Sequence, residues 1–198
     1  MRKIIFESAV SVDGFIEGPN GEMDWLVLNR ERFDAVAFLS RFDTIFCGRK
    51  AYERLEARAA DEFLPDAQRE FHRVISQMRK YVFSRKEKHL PGNGMVVSEN
   101  LEGEVQRIRD ELGKDIWFCG GADILSTFAE LDLVDEYVLV VHPVMLKSGK
   151  SLFAGTRRPL NLKLLEQRNL ESGVISFRYL PESRIGNLKN RIRYGGSV

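Results

Sequence analysis

Short apolar runs alternate with amphipathic segments over the first 140 residues of this 198-residue chain. Their β-branched and aromatic content predicts strands at residues 3–12, 43–47, 80–83, 95–97, 115–119 and 136–141. Apolar residues at helical spacing predict helices at residues 49–57, 66–78, 102–112 and 122–131. This alternation is typical of an α/β fold with a mixed, mostly parallel sheet flanked by helices. Two final strands, at 160–167 and 174–179, have no helix between them and indicate a C-terminal antiparallel hairpin.

Composition and charge exclude several classes of protein. The formal net charge is +1, so no overall basic field points to nucleic acid. No apolar run approaches the roughly 18 residues of a membrane span, and the start of the chain lacks a signal-peptide pattern. Cys47 and Cys119 suit neither a disulfide framework nor a zinc site, and we interpret both as small buried hydrophobic residues. We therefore expect a cytoplasmic protein with no metal and no nucleic-acid or membrane partner.

Cations follow two of the predicted strands, at the edge of the sheet where α/β proteins bind ligands. Gly48 is followed by Arg49 and Lys50 at the start of a helix, and Ser84 is followed by Arg85. A helix N-terminus already carries partial positive charge, so cations at that end favour a bound anion. Phosphate binding is one interpretation of both stretches, and the second suits the extra ribose phosphate of NADP. The other interpretation is a set of solvated surface cations.

Two glycines, Gly120 and Gly121, join a predicted strand to a predicted helix. The absence of both Cβ atoms allows a ligand to lie against the backbone and eases unusual dihedral angles, including a cis peptide bond. The amides that start the helix at Ala122 can then face a pyrophosphate. A tight strand-to-helix turn is the simpler alternative.

A glycine-rich stretch follows the first strand, in the sequence SVDGFIEGPNGEMDW. Asp13 ends the strand and is our candidate for a group that contacts substrate or orients a proton-donating water. It is equally consistent with a turn residue. The loop that follows has the composition of a lid that excludes water, and Trp25 either packs in the core or lies against a ligand.

Five stretches carry a family resemblance, in the order SVDGFIEG, CGRKAYE, VFSRK, IWFCGGADIL and DEYVLVVHPVMLKSGKSLF. Over roughly residues 2–180 the chain resembles the dihydrofolate reductase-like fold. It is most similar to the family typified by the C-terminal reductase domain of the bacterial bifunctional riboflavin-biosynthesis protein, including its stand-alone relatives. The resemblance implies an NADPH-dependent reductase in which the Gly-Gly peptide is cis.

The resemblance also assigns residues to the two halves of a site. The residues that it places at the cofactor are Gly48, Arg49, Lys50, Ser84, Arg85, Gly120, Gly121, Ala122 and Asp123. The residues that it places on the substrate side, under a lid formed by residues 15–25, are Phe15, Trp25, His142, Pro143 and Phe153. A sugar phosphate would need a further cation, for which Lys147, Lys150 and Arg157 are equal candidates.

Two departures from the family patterns restrict the substrate. Folate reduction in this fold resembles a W-x-x-x-x-acid pattern, but Arg30 stands at the matching place after Trp25, so a true dihydrofolate reductase is not expected. The zinc-deaminase signatures H-x-E and P-C-x-x-C are missing from the sequence, so we do not expect the bifunctional riboflavin enzyme.

The leading functional hypothesis is hydride transfer from NADPH to a small C=N or C=O substrate, pteridine-like or aminouracil sugar phosphate-like. A regulatory protein that binds NADPH or another nucleotide without turnover is the alternative, and a structural α/β protein without a nucleotide site is a third. We expect one catalytic domain over residues 1–181 and a homodimer. A basic tail at 182–198 contains Arg184, Lys189, Arg191 and Arg193, either as a surface terminus or as a contact for a phosphate or partner.

Overall fold

A computed structural model describes residues 1–26, 35–61, 63–64, 66–86 and 89–185. The strands are β1 (Ile4–Ser11), β2 (Phe15–Glu17), β3 (Phe42–Gly48), β4 (Arg79–Phe83), β5 (Met95–Val97), β6 (Asp115–Phe118), β7 (Glu136–His142), β8 (Lys150–Ser151), β9 (Leu162–Asn169) and β10 (Ile175–Pro181). The helices are α1 (Ala35–Leu39), α2 (Arg49–Ala59), α3 (Asp66–Ser76), α4 (Leu101–Asp110) and α5 (Ala122–Glu130). None of these described helices is long and apolar enough to cross a membrane.

Eight strands form one sheet in the order β5-β4-β3-β6-β1-β7-β10-β9. The pairs from β5 to β7 are all parallel, and β1 lies at the centre between β6 and β7. Strand β10 runs antiparallel to both β7 and β9. The predicted mixed, mostly parallel sheet with a C-terminal antiparallel hairpin is confirmed.

The core has two halves, one on each face of the sheet, because alternate residues of a strand point to opposite faces. Phe6 and Phe118 lie in the half covered by α4 and α5. Ile5 and Trp117, one residue away on the same strands, lie in the half covered by α1, α2 and α3. Burial on both faces explains why the first three residues of β1 and the last three of β6 are all apolar.

A second, two-stranded sheet was not predicted from the sequence. Phe15 of β2 pairs with Ser151 of β8, and Glu17 pairs with Lys150. The amide of Leu152 also donates to the carbonyl of Gly14 at 2.9 Å. Both strands are too short to show a period-two pattern, and their pairing joins segments that are far apart in the chain. The small sheet positions the loop after β1 beside the carboxyl edge of the main sheet.

Buried ion pairs lie at the opposite, amino edge of the main sheet. The guanidinium of Arg2 contacts Asp43 and donates to Thr44 Oγ1 at 2.6 Å. Arg109 donates to Asp135 at 2.8 Å. These contacts satisfy charges that burial would otherwise make costly, so this edge has a structural role.

The basic tail begins at the same edge. Ser183 donates to Asp132 Oδ1 at 2.8 Å, and the guanidinium of Arg184 lies 3.5 Å from Asp135 Oδ1. The remaining tail cations, Lys189, Arg191 and Arg193, and the departure at Arg30 lie outside the described residues.

Candidate functional site

A cavity of about 840 Å³ lies along the carboxyl edge of the parallel strands. Gly48 ends β3, Phe83 ends β4 and Gly120 follows β6, and all three residues line the cavity. The cavity continues across the second half of β1 to Ala9. Because ligands of open α/β sheets bind at this edge, the cavity is the candidate functional site.

The structure brings the residues expected at the cofactor together, with one exception. The members of that set that line the cavity are Gly48, Arg49, Lys50, Ser84, Arg85, Gly120, Gly121 and Asp123. Ala122 does not line it, because its side chain is buried in the core under α5. Its backbone still begins α5. The contact of these residues with a cofactor stays a prediction.

The start of α2 carries two cations and opens onto the cavity. Gly48 precedes the helix in an extended conformation (φ −84°, ψ 164°), and no described side chain caps the first turn. Arg49 Nη1 lies 2.6 Å from Glu53 Oε1, one turn further along the same helix, while Lys50 is exposed. Uncapped amides beside an exposed ammonium form a site suited to an anion.

At the Gly-Gly junction, the peptide geometry and the reason for the first glycine differ from the prediction. The described chain contains no cis peptide bond, so the predicted cis geometry was wrong. Gly121 is extended (φ −79°, ψ 175°), a conformation open to any residue. A Cβ atom on Gly120 would lie 2.6 Å from both the Phe118 ring and Ile124 Cγ2. Gly120 is therefore required by close packing rather than by its dihedral angles.

Gly121 faces the cavity. A Cβ atom there would have Lys150 Nζ, at 3.8 Å, as its nearest neighbour among the described atoms. Its backbone precedes α5, whose first turn is capped by no described side chain. The second glycine thus leaves the start of α5 open towards the cavity, and the close approach of a ligand there stays a prediction.

The β4 end supplies a second, separate group of cations. Arg85 and Lys86 are exposed and line the cavity with Ser84, whose amide donates to the Val97 carbonyl of β5 at 3.1 Å. Because β4 and β3 are adjacent parallel strands, this group lies one strand away from the start of α2. The spacing between neighbouring strands is about 4.8 Å. Two anionic groups of one ligand can therefore be contacted along the same edge.

Lys150 is a site residue that the sequence did not single out. It belongs to β8, and the pairing of β8 with β2 brings it to the cavity. Its Nζ donates to Asp123 Oδ2 at 2.8 Å, in the exposed first turn of α5. From the sequence, three cations were equal candidates for a phosphate contact: Lys147, Lys150 and Arg157. Only the tertiary pairing distinguishes Lys150.

The loop after β2 is connected to α2 across the mouth of the cavity. Arg54 Nη1 lies 2.7 Å from Glu17 Oε1 and 3.3 Å from Met23 Sδ. Glu17 and Arg54 also line a neighbouring groove of about 990 Å³, and Gly18 and Gly21 line the same groove. The loop predicted to be a lid is thus joined to α2 by an ion pair that was not predicted from the sequence, and its closure over a ligand stays a prediction.

Asp13 does not line this cavity, and its predicted contact with substrate stays a prediction. Its carboxylate accepts hydrogen bonds from the Ser11 hydroxyl (2.6 Å) and from the amides of Leu146 (3.1 Å) and Lys147 (2.8 Å). These bonds, that of Ser11 first, lower the pKa of Asp13 below its ordinary value. Asp13 therefore connects the end of β1 to the loop before β8. A catalytic role for Asp13 stays a prediction.

The residues expected on the substrate side are not gathered in this cavity. The ring of Trp25 packs edge-to-face on His142 at a centroid distance of 5.5 Å, and Trp25 Nε1 donates to the carbonyl of Glu22. His142 is buried, and burial lowers its pKa. Phe15 lies in β2, and Pro143 and Phe153 are exposed outside the cavity lining.

Glu7 also lines the cavity, and it was not predicted from the sequence as a site residue. It lies in the apolar run of β1, and its Oε2 accepts a hydrogen bond from Trp117 Nε1 at 2.9 Å. It is the one acid of β1, whose other residues are apolar or serine, and this is the signal that identifies it, because a charge on a central strand needs a partner or a purpose.

The two cysteines lie near the same edge. Cys47 is buried at the end of β3, and burial raises the pKa of its thiol to about 12. Cys119 lines the cavity, and burial raises its pKa well above the ordinary value, with the nearby Cys47 and Glu7 adding to the shift. Both thiols are thus held protonated. The interpretation as a small buried hydrophobic residue is confirmed for Cys47, whereas Cys119 is only partly buried.

The fold and the cavity together define a dihydrofolate reductase-like α/β protein. The model of the RibD C-terminal domain matches residues 2–176, and the chain belongs to this family. The Bacillus subtilis (strain 168) protein named "Uncharacterized protein YyaP" is 38% identical over 178 residues, which cover 90% of this chain and 94% of that protein. A second protein of the same organism, "Uncharacterized protein YwjB", is 28% identical over 176 residues, with 82% and 89% covered.

Solved structures share the fold. A putative riboflavin biosynthesis protein from Shewanella sp. PV-4 matches with a TM-score of 0.72 and 20% identity, over 92% of this chain and 99% of the other. Dihydrofolate reductase from Enterococcus faecalis, complexed with NADP(H), matches with a TM-score of 0.61 and 14% identity, over 91% and 96%. At these identities the likeness is one of fold.

Proposed function

We propose that this protein is an NADPH-dependent reductase that transfers hydride to a small C=N or C=O substrate, either pteridine-like or aminouracil sugar phosphate-like. One observation carries the proposal. A single cavity combines two groups of cations at neighbouring strand ends with two helix N-termini that no described side chain caps. Membership of the RibD C-terminal domain family supports a reductase rather than an unrelated nucleotide-binding protein.

The residues present fit a dinucleotide phosphate. The starts of α2 and α5 would hold the pyrophosphate, with Lys50 as the adjacent cation and Gly121 allowing close approach of the backbone. Ser84 and Arg85, one strand away, would hold the ribose phosphate. When bound, NADPH supplies the hydride, and the contribution of the chain is to bind and orient the two reactants.

Exclusion of water is the second contribution of the chain. The Glu17–Arg54 ion pair would hold the loop after β2 beside the cavity, and Met23 of that loop lines the cavity. A low-dielectric cavity strengthens the electrostatic contacts inside it and limits side reactions of the bound reactants.

A non-catalytic, nucleotide-binding regulatory protein is the alternative, and the position of Asp13 favours it. The group chosen as the catalytic candidate is bonded to the loop before β8 rather than turned into the cavity. The alternative predicts tight NADPH binding without oxidation of NADPH by dihydropteridines, aminouracil sugars or small carbonyl compounds. The reductase predicts oxidation with at least one of these classes.

The first test is calorimetric titration of the purified protein with NADPH and with NADH. A charged hydrogen bond from Arg85 to the ribose phosphate is worth about 1.5–3 kcal/mol, so NADPH should bind roughly tenfold to a hundredfold more tightly. The variant Arg85→Ala should lose most of that preference. Arg58→Ala, which removes an exposed cation of α2 outside the cavity, serves as the matched control. Equal affinities for the two nucleotides in the wild type would contradict the assignment.

A further inference from the structure

Strand β9 ends the main sheet, and its outer side has no neighbouring strand among the described residues. Six of its eight residues are exposed, so no described segment covers this side as a whole. The backbone N–H and C=O groups on the outer side of an edge strand are available to pair with a further strand. This edge is therefore a candidate interaction surface, well away from the cavity.

The second half of β9 is the part that can accept another strand. Its pairing with β10 is continuous over residues Glu166–Asn169, and the register then shifts at Leu165. Such a bulge bends a strand and interrupts its ladder of hydrogen bonds. A second strand can therefore pair regularly along Glu166–Asn169, which we call the regular edge segment.

Two opposite charges lie two positions apart in the regular edge segment. Glu166 and Arg168 share one face of the sheet, and Arg168 Nε lies 2.5 Å from Glu166 Oε1. The side chain of Arg168 is 70% exposed. Edge charges of a single sign protect a strand from pairing, because two copies repel each other. A pair of opposite sign does not, because it can match an inverted copy of itself.

Twofold symmetry restricts how this segment can meet its own copy. The two strands are then antiparallel, and one residue lies directly opposite itself. With Glu166 or Arg168 at that position, two like charges would face each other, which is destabilising. With Asn169 there, neither charge would have a match. With Gln167 there, Glu166 of each chain lies opposite the partner's Arg168, so the charges select this register.

We propose that β9 pairs with β9 of a second copy of this chain, antiparallel, about a twofold axis at Gln167. Two symmetry-related ion pairs, each between Glu166 and the partner's Arg168, specify the register. The exposed side chains of Leu164 and Leu165 precede the regular edge segment, so symmetry places them at both ends of the interface. The main sheets of the two chains become one continuous sheet. The proposal does not depend on the function as a reductase.

A cross-link tests the position of the axis. In Gln167→Cys the two introduced cysteines would lie opposite each other, with Cα atoms about 4.5–5.5 Å apart, which suits a disulfide. We expect oxidised glutathione to convert this variant to a covalent dimer on a non-reducing gel. Lys163→Cys, at an exposed position of the same strand away from the axis, is the matched control and should stay a single chain, as should the wild type. Equal cross-linking of the two variants, or none in Gln167→Cys, overturns the proposed axis.

Charge reversal tests the ion pairs. Arg168→Glu would bring carboxylates together at both pairs and Glu166→Arg would bring guanidinium groups together, so each variant alone should self-associate at least about tenfold more weakly than the wild type in sedimentation velocity. Mixed in equal amounts, the two variants should form a dimer, because each charge then faces an opposite one. Self-association of Arg168→Glu as tight as that of the wild type, or no association on mixing, contradicts the proposal.

The matched control for charge reversal is Arg73→Glu. It makes the same change in net charge and also breaks an exposed ion pair, that of Arg73 with Glu70 on α3, far from β9 in the chain. It should leave the dissociation constant of the dimer unchanged. Thermal melting checks that the charge variants fold, and if Glu166→Arg does not, the cross-link at position 167 still decides.

Discussion

The two adjacent glycines that follow β6 are explained by two different physical requirements. Gly120 lies against the ring of Phe118, which is fully buried and packed on Phe128 at a centroid distance of 4.5 Å. Ile124 Cγ2 closes the other side and also lies 3.5 Å from the Cβ position of Gly48. Gly121 has no such crowding and faces the cavity. The pair therefore combines a packing requirement with an opening for a ligand.

The glycines can be separated by single substitutions. Gly120→Ala forces a methyl group into a well-packed core, and we expect a loss of about 1–3 kcal/mol in the free energy of unfolding. For a chain of this size, each 1 kcal/mol lowers the melting temperature by about 2–4 °C. Gly121→Ala is the matched control and should have a small effect on stability, but should weaken NADPH binding because its methyl group enters the cavity. Equal melting temperatures for the two variants would contradict the assignment of a packing role to Gly120 alone.

The charged side chains that line the cavity are the second feature at the scale of single residues. The cations at the ends of β3 and β4 lie on exposed positions and were predicted from the sequence as a set. Glu7 was not predicted, because in the sequence it is one acid in a strand that also contains Ser8 and Ser11. Its direction depends on Trp117, 110 positions further along the chain.

At the scale of the elements, the loop before β8 is held to the end of β1. Asp13 accepts the amides of Leu146 and Lys147, and the pairing of β2 with β8 continues the connection. This arrangement places Lys150 at the cavity and the start of the lid beside it. A carboxylate that satisfies two amides of a distant loop acts as a structural link between elements.

The variant Asp13→Asn tests that link through its pH dependence. The folded-state pKa of Asp13 is lowered from 3.8, so its stabilisation is fully present above pH 3.8 and is lost as the pH falls through the folded-state pKa. The variant should therefore melt at a lower temperature than the wild type at pH 6, and the difference should shrink below pH 3.8.

The control for this prediction is Asp110→Asn, an exposed carboxylate of α4, which should change the melting temperature little at either pH. An Asp13→Asn variant with wild-type melting but impaired turnover would instead support the predicted contact of Asp13 with substrate. The thermal and kinetic measurements thus decide between the two roles of this residue.

At the scale of the whole molecule, the sheet ends on the C-terminal hairpin. Strand β9 is an edge strand, with Leu164 and Leu165 exposed by 47% and 42%. Long edge strands with exposed apolar side chains are prone to pairing with another chain. The predicted homodimer is consistent with such an edge, and closed twofold pairing is the commonest form of soluble assembly.

Light scattering coupled to size exclusion tests the homodimer prediction. We expect a mass twice that of the 22.7 kDa chain at micromolar concentration. Leu164→Glu should shift the mass toward that of one chain, because it introduces a charge on the edge strand. Leu112→Glu, at a side chain that is 98% exposed elsewhere, should leave the mass unchanged. A single-chain mass for the wild type would show that β9 is not an interface.

The sequence alone determined the order of the elements and the chemistry of the strand ends. Periodicity is local, so the strands of the main sheet, such as Met95–Val97, and the cations and glycines that follow the strands were predicted from residues close together in the chain. The tertiary structure decided the rest. The Asp13 contacts span 133 and 134 positions, and the β2–β8 pairing and the Glu7–Trp117 bond join similarly distant segments. These contacts stabilise the protein only once the sheet is assembled, because each of them joins segments that are far apart in the chain.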